Sequence, residues 1–461
     1  MKDGGAKPIP LILGLVAALA VNFAMRSAGL DATISTTAAI TTLTAFWWIT
    51  EALSIPVTSL VPIIAFPLFG VLSAAEAAAG IGSDVIILLM GGFMMAKGLE
   101  KSGVHRRLAL GILHSVGAQG GKRIVIAFML AGALLSMWIS NTATALMLMP
   151  IALAVLGHLK DDKLAAPVVL GVAFACNIGG IATLVGTPVN IVFAGVYEGV
   201  AGEEYSFLRW MKIGLPIVAI GLPIMMLWLT RNVKATGKIE LPSSGTWRLE
   251  EKRVLSVFVI TVLLWVFRNG PYGGWSGILE NTQARDSTVA LLSVLAMFLI
   301  PSGNGKGDHL LNWKWAGEIP WGMLLLFGGG ITIANAFQSS GLAALVGDQL
   351  AETVTLPPYL LILAICLSVT FLTEMTSNTA TTTLLMPILA ATAVATDIAP
   401  ELLMIPAAIS ASCAFMLPVA TTTNAIAYGS GKTTIKQMAK EGFALNILMA
   451  FVISVICYFL L

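Results

Sequence analysis

A five-residue segment, Ser140-Asn141-Thr142-Ala143-Thr144, returns unchanged as Ser377-Asn378-Thr379-Ala380-Thr381, 237 positions later. Its surroundings return too, with Leu148-Met149-Pro150 matching Leu385-Met386-Pro387. Gly91-Gly92 and Ser102-Gly103 match Gly329-Gly330 and Ser340-Gly341 at offset 238. Gly186-Thr187-Pro188-Val189-Asn190 aligns with Ala420-Thr421-Thr422-Thr423-Asn424 at offset 234. The chain therefore reads as two halves of one pattern, and each Ser-Asn-Thr is a short polar break between apolar runs.

Those runs demand a lipid solvent. Of 461 residues, 57% are hydrophobic and 11% charged, against about 25% charged in a soluble domain. A core cannot absorb such an excess, so much of the surface faces hydrocarbon. The net charge of +2 says little. Cys176, Cys366, Cys413 and Cys457 lie in apolar runs without close spacing and read as small core residues. His105, His114, His158 and His309 are scattered and suggest no metal cluster. The run from Pro8 to Ala24 exceeds a signal-peptide core and lacks a clear cleavage site, so it reads as the first span.

Spanning runs are expected near 9–26, 35–51, 56–73, 83–100, 163–197, 209–230, 254–269, 285–301, 320–338, 401–428 and 441–461. The stretches 123–158 and 357–397 hold the Ser-Asn-Thr breaks near their middles. Each is either two spans or one re-entrant hairpin, and the polar tips favour hairpins because lipid-exposed irregular backbone is not tolerated. With the N-terminus cytoplasmic and the C-terminus outside, all basic residues but Arg26, Arg209, Lys212, Arg268 and Arg285, of 26 in total, fall inside, as the positive-inside rule requires. Ser140 then enters from the cytoplasm and Ser377 from outside, so the repeats are inverted, a common plan of secondary transporters. Arg231 to Arg253 is a cytoplasmic linker. Amphipathic pieces near 104–118 and 341–352 read as arms along the membrane surface.

A hairpin tip offers hydroxyls, an amide and the free N–H groups of a helix start, with its positive dipole end. One copy would read as an ordinary helix cap. Two copies at matching places in inverted repeats read as a binding site. Gly186-Thr187-Pro188 and Ala420-Thr421-Thr422 each interrupt a span, and unwound backbone frees carbonyls that can coordinate a cation. Ionisable residues near the breaks are scarce: Glu374 stands three positions before Ser377, and no Lys or Arg lies in the tips. Glu51, near the inner end of a span, reads as a functional candidate or a structural hydrogen bond. Gly429-Ser430-Gly431-Lys432-Thr433 lacks the first glycine of a phosphate loop and any preceding strand, so Lys432 reads as an inner-face anchor.

The paired Ser-Asn-Thr motifs, Trp48-Ile49-Thr50-Glu51-Ala52-Leu53-Ser54-Ile55-Pro56, and Pro418-Val419-Ala420-Thr421 followed by Asn424-Ala425-Ile426 resemble the divalent anion–sodium symporter family over essentially the whole chain. The resemblance implies an all-α polytopic membrane protein with inverted repeats, eleven spans, two opposed re-entrant hairpins and an elevator mechanism in a homodimer. It implies a scaffold from 1–120 and 254–355, a transport domain from 121–230 and 356–461, and a cytoplasmic linker at 231–253. It implies that Ser140, Asn141, Thr142, Ser377, Asn378 and Thr379 hold substrate carboxylates, with Thr187 and Thr421 beside them. One sodium would sit among Ser136, Asn141 and Gly186, the other among Thr373, Asn378 and Ala420. Ser136 and Thr373 are themselves repeat equivalents, at offset 237. The chain departs from the family at Thr422 and Thr423, usually prolines, which bears on the substrate pocket.

The expected function is sodium-coupled import of C4-dicarboxylates such as succinate, malate or fumarate across a bacterial inner membrane. The alternatives are a dicarboxylate exchanger of the same fold, a sulfate or tricarboxylate carrier, or a channel. An intramembrane enzyme would need an acid–base set near the midplane, and the histidines sit at run ends instead. Expected partners are a dicarboxylate anion, Na+ as co-transported ion, lipid and a second copy of the chain, with no nucleic acid.

Overall fold

The computed structural model describes residues 6–117, 119–157, 162–233, 241–243, 245–270, 273–279, 283–305, 307–351 and 356–461. Lys2, His158, Lys160, Lys234, Lys238 and Lys306, and with them part of the linker, lie outside these. The named elements among the described residues are all helices, and Pro301 and His309 pair in an isolated antiparallel β-bridge. Six helical segments among them are long and apolar enough to cross a bilayer, including Pro8–Ser27, Phe207–Thr230 and Ile435–Leu460. Pro8–Ser27 buries little, and Phe23 on it is 75% exposed, the mark of a helix whose solvent is lipid rather than protein.

Both breaks fall where the polar triplets stand. Gly121–Ser136 and Asn141–Gly157 form the first hairpin, and Pro358–Thr373 and Asn378–Ala395 the second. A 16-residue helix rises about 24 Å, less than the roughly 30 Å of hydrocarbon. The arms of 16 and 17 residues therefore suit segments that turn back rather than cross, while Asn378–Ala395, with 18, is itself among the six long and apolar enough to span. The spans that follow are interrupted. The first runs from Asp162–Gly179 through a 3-10 turn at Gly180–Ala182 to Pro188–Ala201. The second comprises Pro400–Ala411 and Thr422–Gly429.

The repeat extends to helix ends. Asp84–Ser102 stops at Gly103 (φ 73°) and Trp321–Ser340 at Gly341 (φ 81°), a left-handed conformation that glycine adopts at little cost. In each, the serine hydroxyl then accepts from the second amide beyond it, Val104 N and Leu342 N, both at 3.3 Å. Each glycine thus turns the chain from a span into an arm, Val104–Val116 and Leu342–Ala351.

Hairpins, broken spans and the helices after them pack against one another. Trp210 Nε1 donates to Ile181 O at 2.7 Å, tying Phe207–Thr230 to the first break. A Cβ at Gly442 would collide with the Phe415 backbone, so Ile435–Leu460 lies directly on the second break. Arg209 on the first half reaches Glu401 on the second at 2.5 Å.

Candidate functional site

Both tips line one cavity of about 1160 Å³. Its wall includes Ser140, Asn141, Thr142, Thr187, Ser377, Asn378, Thr379, Ala420 and Thr421. Ser136 and Thr373, fully buried, stand behind it, and Gly186 contributes its carbonyl. The cavity also reaches Glu51, Lys97, Glu100, His105 and Glu318 at the ends of the spans. Lys97 is the one Lys or Arg on the wall among the described residues, and Glu100 pairs with it at 2.8 Å. Burial pushes the His105 pKa down, which favours the neutral imidazole. The cavity thus holds no unpaired cation among the described residues.

Two oxygen clusters flank it. In the first repeat, Asn141 Oδ1 lies 2.6 Å from Ser136 Oγ, 3.1 Å from Cys176 O and 3.3 Å from Gly186 O. Ser136 Oγ is also 2.8 Å from Cys176 O, yet one hydroxyl carries one hydrogen. Two arrangements balance such crowding: a hard cation among the oxygens, or an amide turned so that the two hydrogens of Nδ2 point at these acceptors. In the second repeat, Thr373 Oγ1 lies 2.6 Å from Asn378 Oδ1 and 3.2 Å from Ala411 O. Each cluster joins one hydroxyl, one amide oxygen and a carbonyl from the end of the adjoining helix. All-oxygen donor sets with freed carbonyls fit sodium.

The unwound backbone is held by a pair of asparagines that sequence reasoning aligned without giving a role. Asn190 Nδ2 donates to Gly180 O (3.0 Å) and Thr183 O (2.7 Å). Asn424 Nδ2 donates to Ala414 O (3.0 Å) and Leu417 O (3.1 Å). Every one of these partners is related by the same offset of 234. Replacing either asparagine by alanine should remove two hydrogen bonds to the unwound backbone, though Thr183 O and Leu417 O each keep an amide donor (Gly186 N at 3.3 Å, Ala420 N at 3.2 Å), and should lower stability by about 0.5–1.5 kcal/mol per bond lost. Unfolding in detergent checks this, and wild-type stability in both variants would remove the role.

Glu374 is the larger omission. It is 2% exposed. Its Oε1 accepts from Phe415 N (2.7 Å), Met416 N (2.8 Å) and Asn446 Nδ2 (2.8 Å), and its Oε2 from Leu417 N (2.9 Å). The residue fills a nest of consecutive amides, pinning the second break to its hairpin tip and to Ile435–Leu460. The first repeat has Met137 at this place and uses its carbonyl instead, which accepts from Thr183 Oγ1 at 2.6 Å. The sequence placed Glu374 beside the tip but gave it no role, because a search for matched pairs assigns none to a residue with no counterpart. Glu51, by contrast, ends the span Ala32–Thr50 in a left-handed conformation (φ 47°), exposed on the cavity wall. Its carboxylate makes no hydrogen bond to any described residue, so the structural reading of Glu51 gains nothing from the fold.

Residues 45–404 match the citrate transporter family. The chain belongs to it. Sodium-dependent dicarboxylate transporters of Staphylococcus saprophyticus and Staphylococcus aureus strain MRSA252 are each 40% identical, over 92% of this chain and 85% of theirs. The resemblance to divalent anion–sodium symporters is thereby established, and the protein is a transporter rather than an enzyme. The solved structure of the Alcanivorax borkumensis YdaH transporter, described as having an unusual topology, shares the fold with a TM-score of 0.59 at 15% identity. That similarity covers 86% of this chain and 88% of the other.

Proposed function

We propose that this family member is a sodium-coupled importer of C4-dicarboxylates, with succinate, malate and fumarate as the class. One observation carries the reading: two equivalent all-oxygen clusters adjoin the Ser-Asn-Thr tips in a cavity with no unpaired cation among the described residues. A dianion needs countercharge there. Helix starts supply only roughly half a unit each. Sodium at the two clusters would provide the rest, with Ser136, Asn141 and Gly186 around one ion and Thr373, Asn378 and Ala420 around the other. Ser140, Asn141 and Thr142 would hold one carboxylate, with the Thr187 hydroxyl beside them, and Ser377, Asn378 and Thr379 the other. The hydroxyls of Thr142, Thr187, Ser377 and Thr379 bond to no described residue, which leaves them free to donate.

The names of the staphylococcal relatives support both the ion and the substrate class. By the charge rule, the end with Lys97 and His105 is cytoplasmic, and the conformation is inward-open. The internal bonding of hairpins and broken spans supports a transport body, 121–230 with 356–461, sliding as an elevator against a scaffold of 1–120 and 254–355 in a homodimer. The linker at 231–253 joins the halves.

Energetics separate symport from exchange. Against an inside-negative potential each charge costs about 2.3 kcal/mol per 100 mV, so a bare dianion meets roughly 4.6 kcal/mol. Co-ions cancel that. An exchanger cancels it with the returning anion but still needs a fixed cation in the cavity. Proteoliposomes should therefore accumulate labelled succinate on an inward sodium gradient without internal dicarboxylate. Uptake that ignores sodium and requires internal dicarboxylate would establish exchange instead.

A further inference from the structure

Thr187 and Thr421 are repeat equivalents with nearly the same backbone, φ −141°, ψ 144° and φ −141°, ψ 153°. Both line the cavity. Their hydroxyls are differently engaged. That of Thr187 bonds to no described residue and does not cap the helix it precedes. That of Thr421 accepts from Asn424 N at 3.1 Å and from Asn177 Nδ2 at 3.2 Å, and lies 2.8 Å from Thr423 Oγ1.

The hydrogens can be counted. Thr423 is 1% exposed, and its hydroxyl donates to Asn177 Oδ1 at 2.7 Å. Its single hydrogen is used, so the contact between the two hydroxyls must take the hydrogen of Thr421. Two accepted bonds and one donated bond exhaust a hydroxyl. Turning the Asn177 amide over reverses the direction of the ring and commits the Thr421 hydrogen to Asn177 Oδ1 instead. Either way nothing remains for a ligand. The observed orientation also points Nδ2 at Ala414 O, 3.5 Å away, where a turned amide would set oxygen against oxygen.

The first repeat cannot form this ring. Val189 stands where Thr423 does, and it has no hydroxyl. Asn177 itself belongs to the first broken span, so the ring is also a bond across the two repeats.

We infer that Thr423, acting through Asn177, withdraws Thr421 from the substrate. The two carboxylates are then held unequally: the position that offers a donor in the first repeat offers none in the second. Thr423, which lines the same cavity, is on this account a specificity-determining residue that acts by engaging Thr421, its own hydroxyl hydrogen being spent on Asn177. The inference rests on the dicarboxylate reading of the cavity.

Binding of labelled succinate to purified protein at saturating sodium tests it. Thr187→Val should weaken binding about tenfold or more, the loss of one hydrogen bond to a charged group. Thr421→Val should cost no more than about threefold, because no donor to the ligand is removed. In a Thr423→Val background the Thr421 hydroxyl is released, and Thr421→Val should then cost about tenfold. If Thr421→Val in the otherwise native protein costs as much as Thr187→Val, the inference is wrong. Should loss of the Asn424 cap prevent Thr421→Val from folding, Thr423→Val alone decides. It should tighten succinate binding by at least about threefold, and unchanged binding would overturn the idea. Wild-type protein is the control: absence of sodium-dependent binding there counts against the dicarboxylate reading, whereas a normal wild type with a costly Thr421→Val counts against this inference alone.

Discussion

Asn141→Ala and Asn378→Ala should each weaken succinate binding about ten- to a hundred-fold, and each should raise the sodium needed for half-saturation. The double effect follows from position. Each asparagine starts the returning arm of a hairpin, its side chain in one of the two clusters and the residue on the cavity wall. A hydrogen bond to a charged group is worth roughly 1.5–3 kcal/mol. On the proposed assignment, removing the amide would take one ligand from the cation and, through the lost cation, part of the countercharge from the anion. Binding measured as a function of both sodium and succinate should therefore show the two affinities falling together. Folded variants that bind both ligands normally would refute the shared role, and variants that lose succinate but keep sodium affinity would separate the two sites.

Glu374→Ala should be the most destabilising single change near the site. It leaves three backbone amides and the Asn446 side chain aimed at nothing. At about 1–3 kcal/mol for each unsatisfied buried group, the sum reaches roughly 4 kcal/mol or more, a large fraction of the stability of most proteins. Glu374→Gln keeps one acceptor oxygen but turns an NH2 group toward amide donors, so it should fall between alanine and wild type. Denaturant unfolding in detergent, with and without sodium, checks the order. Wild-type stability in Glu374→Ala would show that water replaces the carboxylate without penalty and that the nest is not a structural joint.

The membrane character, the two halves, the hairpins with polar tips, the two interrupted spans and the separate short helices after Gly103 and Gly341 were all legible in the chain before folding. The reason is physical. Lipid forces every backbone polar group to be satisfied within its own segment, so an interruption of an apolar run is costly and its cause is visible as Gly, Pro, Ser, Asn or Thr. Duplication made each interruption readable twice. The pairing of Ser136 with Asn141 and of Thr373 with Asn378 was within reach for the same reason, since each pair lies five residues apart across a single tip.

Tertiary structure alone decided the contacts between segments distant in the chain. Glu374 finds its amides some 41 to 43 positions away, and no periodicity in the sequence marks that nest. Asn177 meets Thr423 across 246 positions, and only that meeting shows that Thr421 differs from Thr187. Matched motifs report what two repeats share, because a common fold imposes common backbone geometry. Where the repeats diverge, hydrogen bonding across their interface sets the role of a side chain, and that depends on which partner the fold brings within about 3 Å.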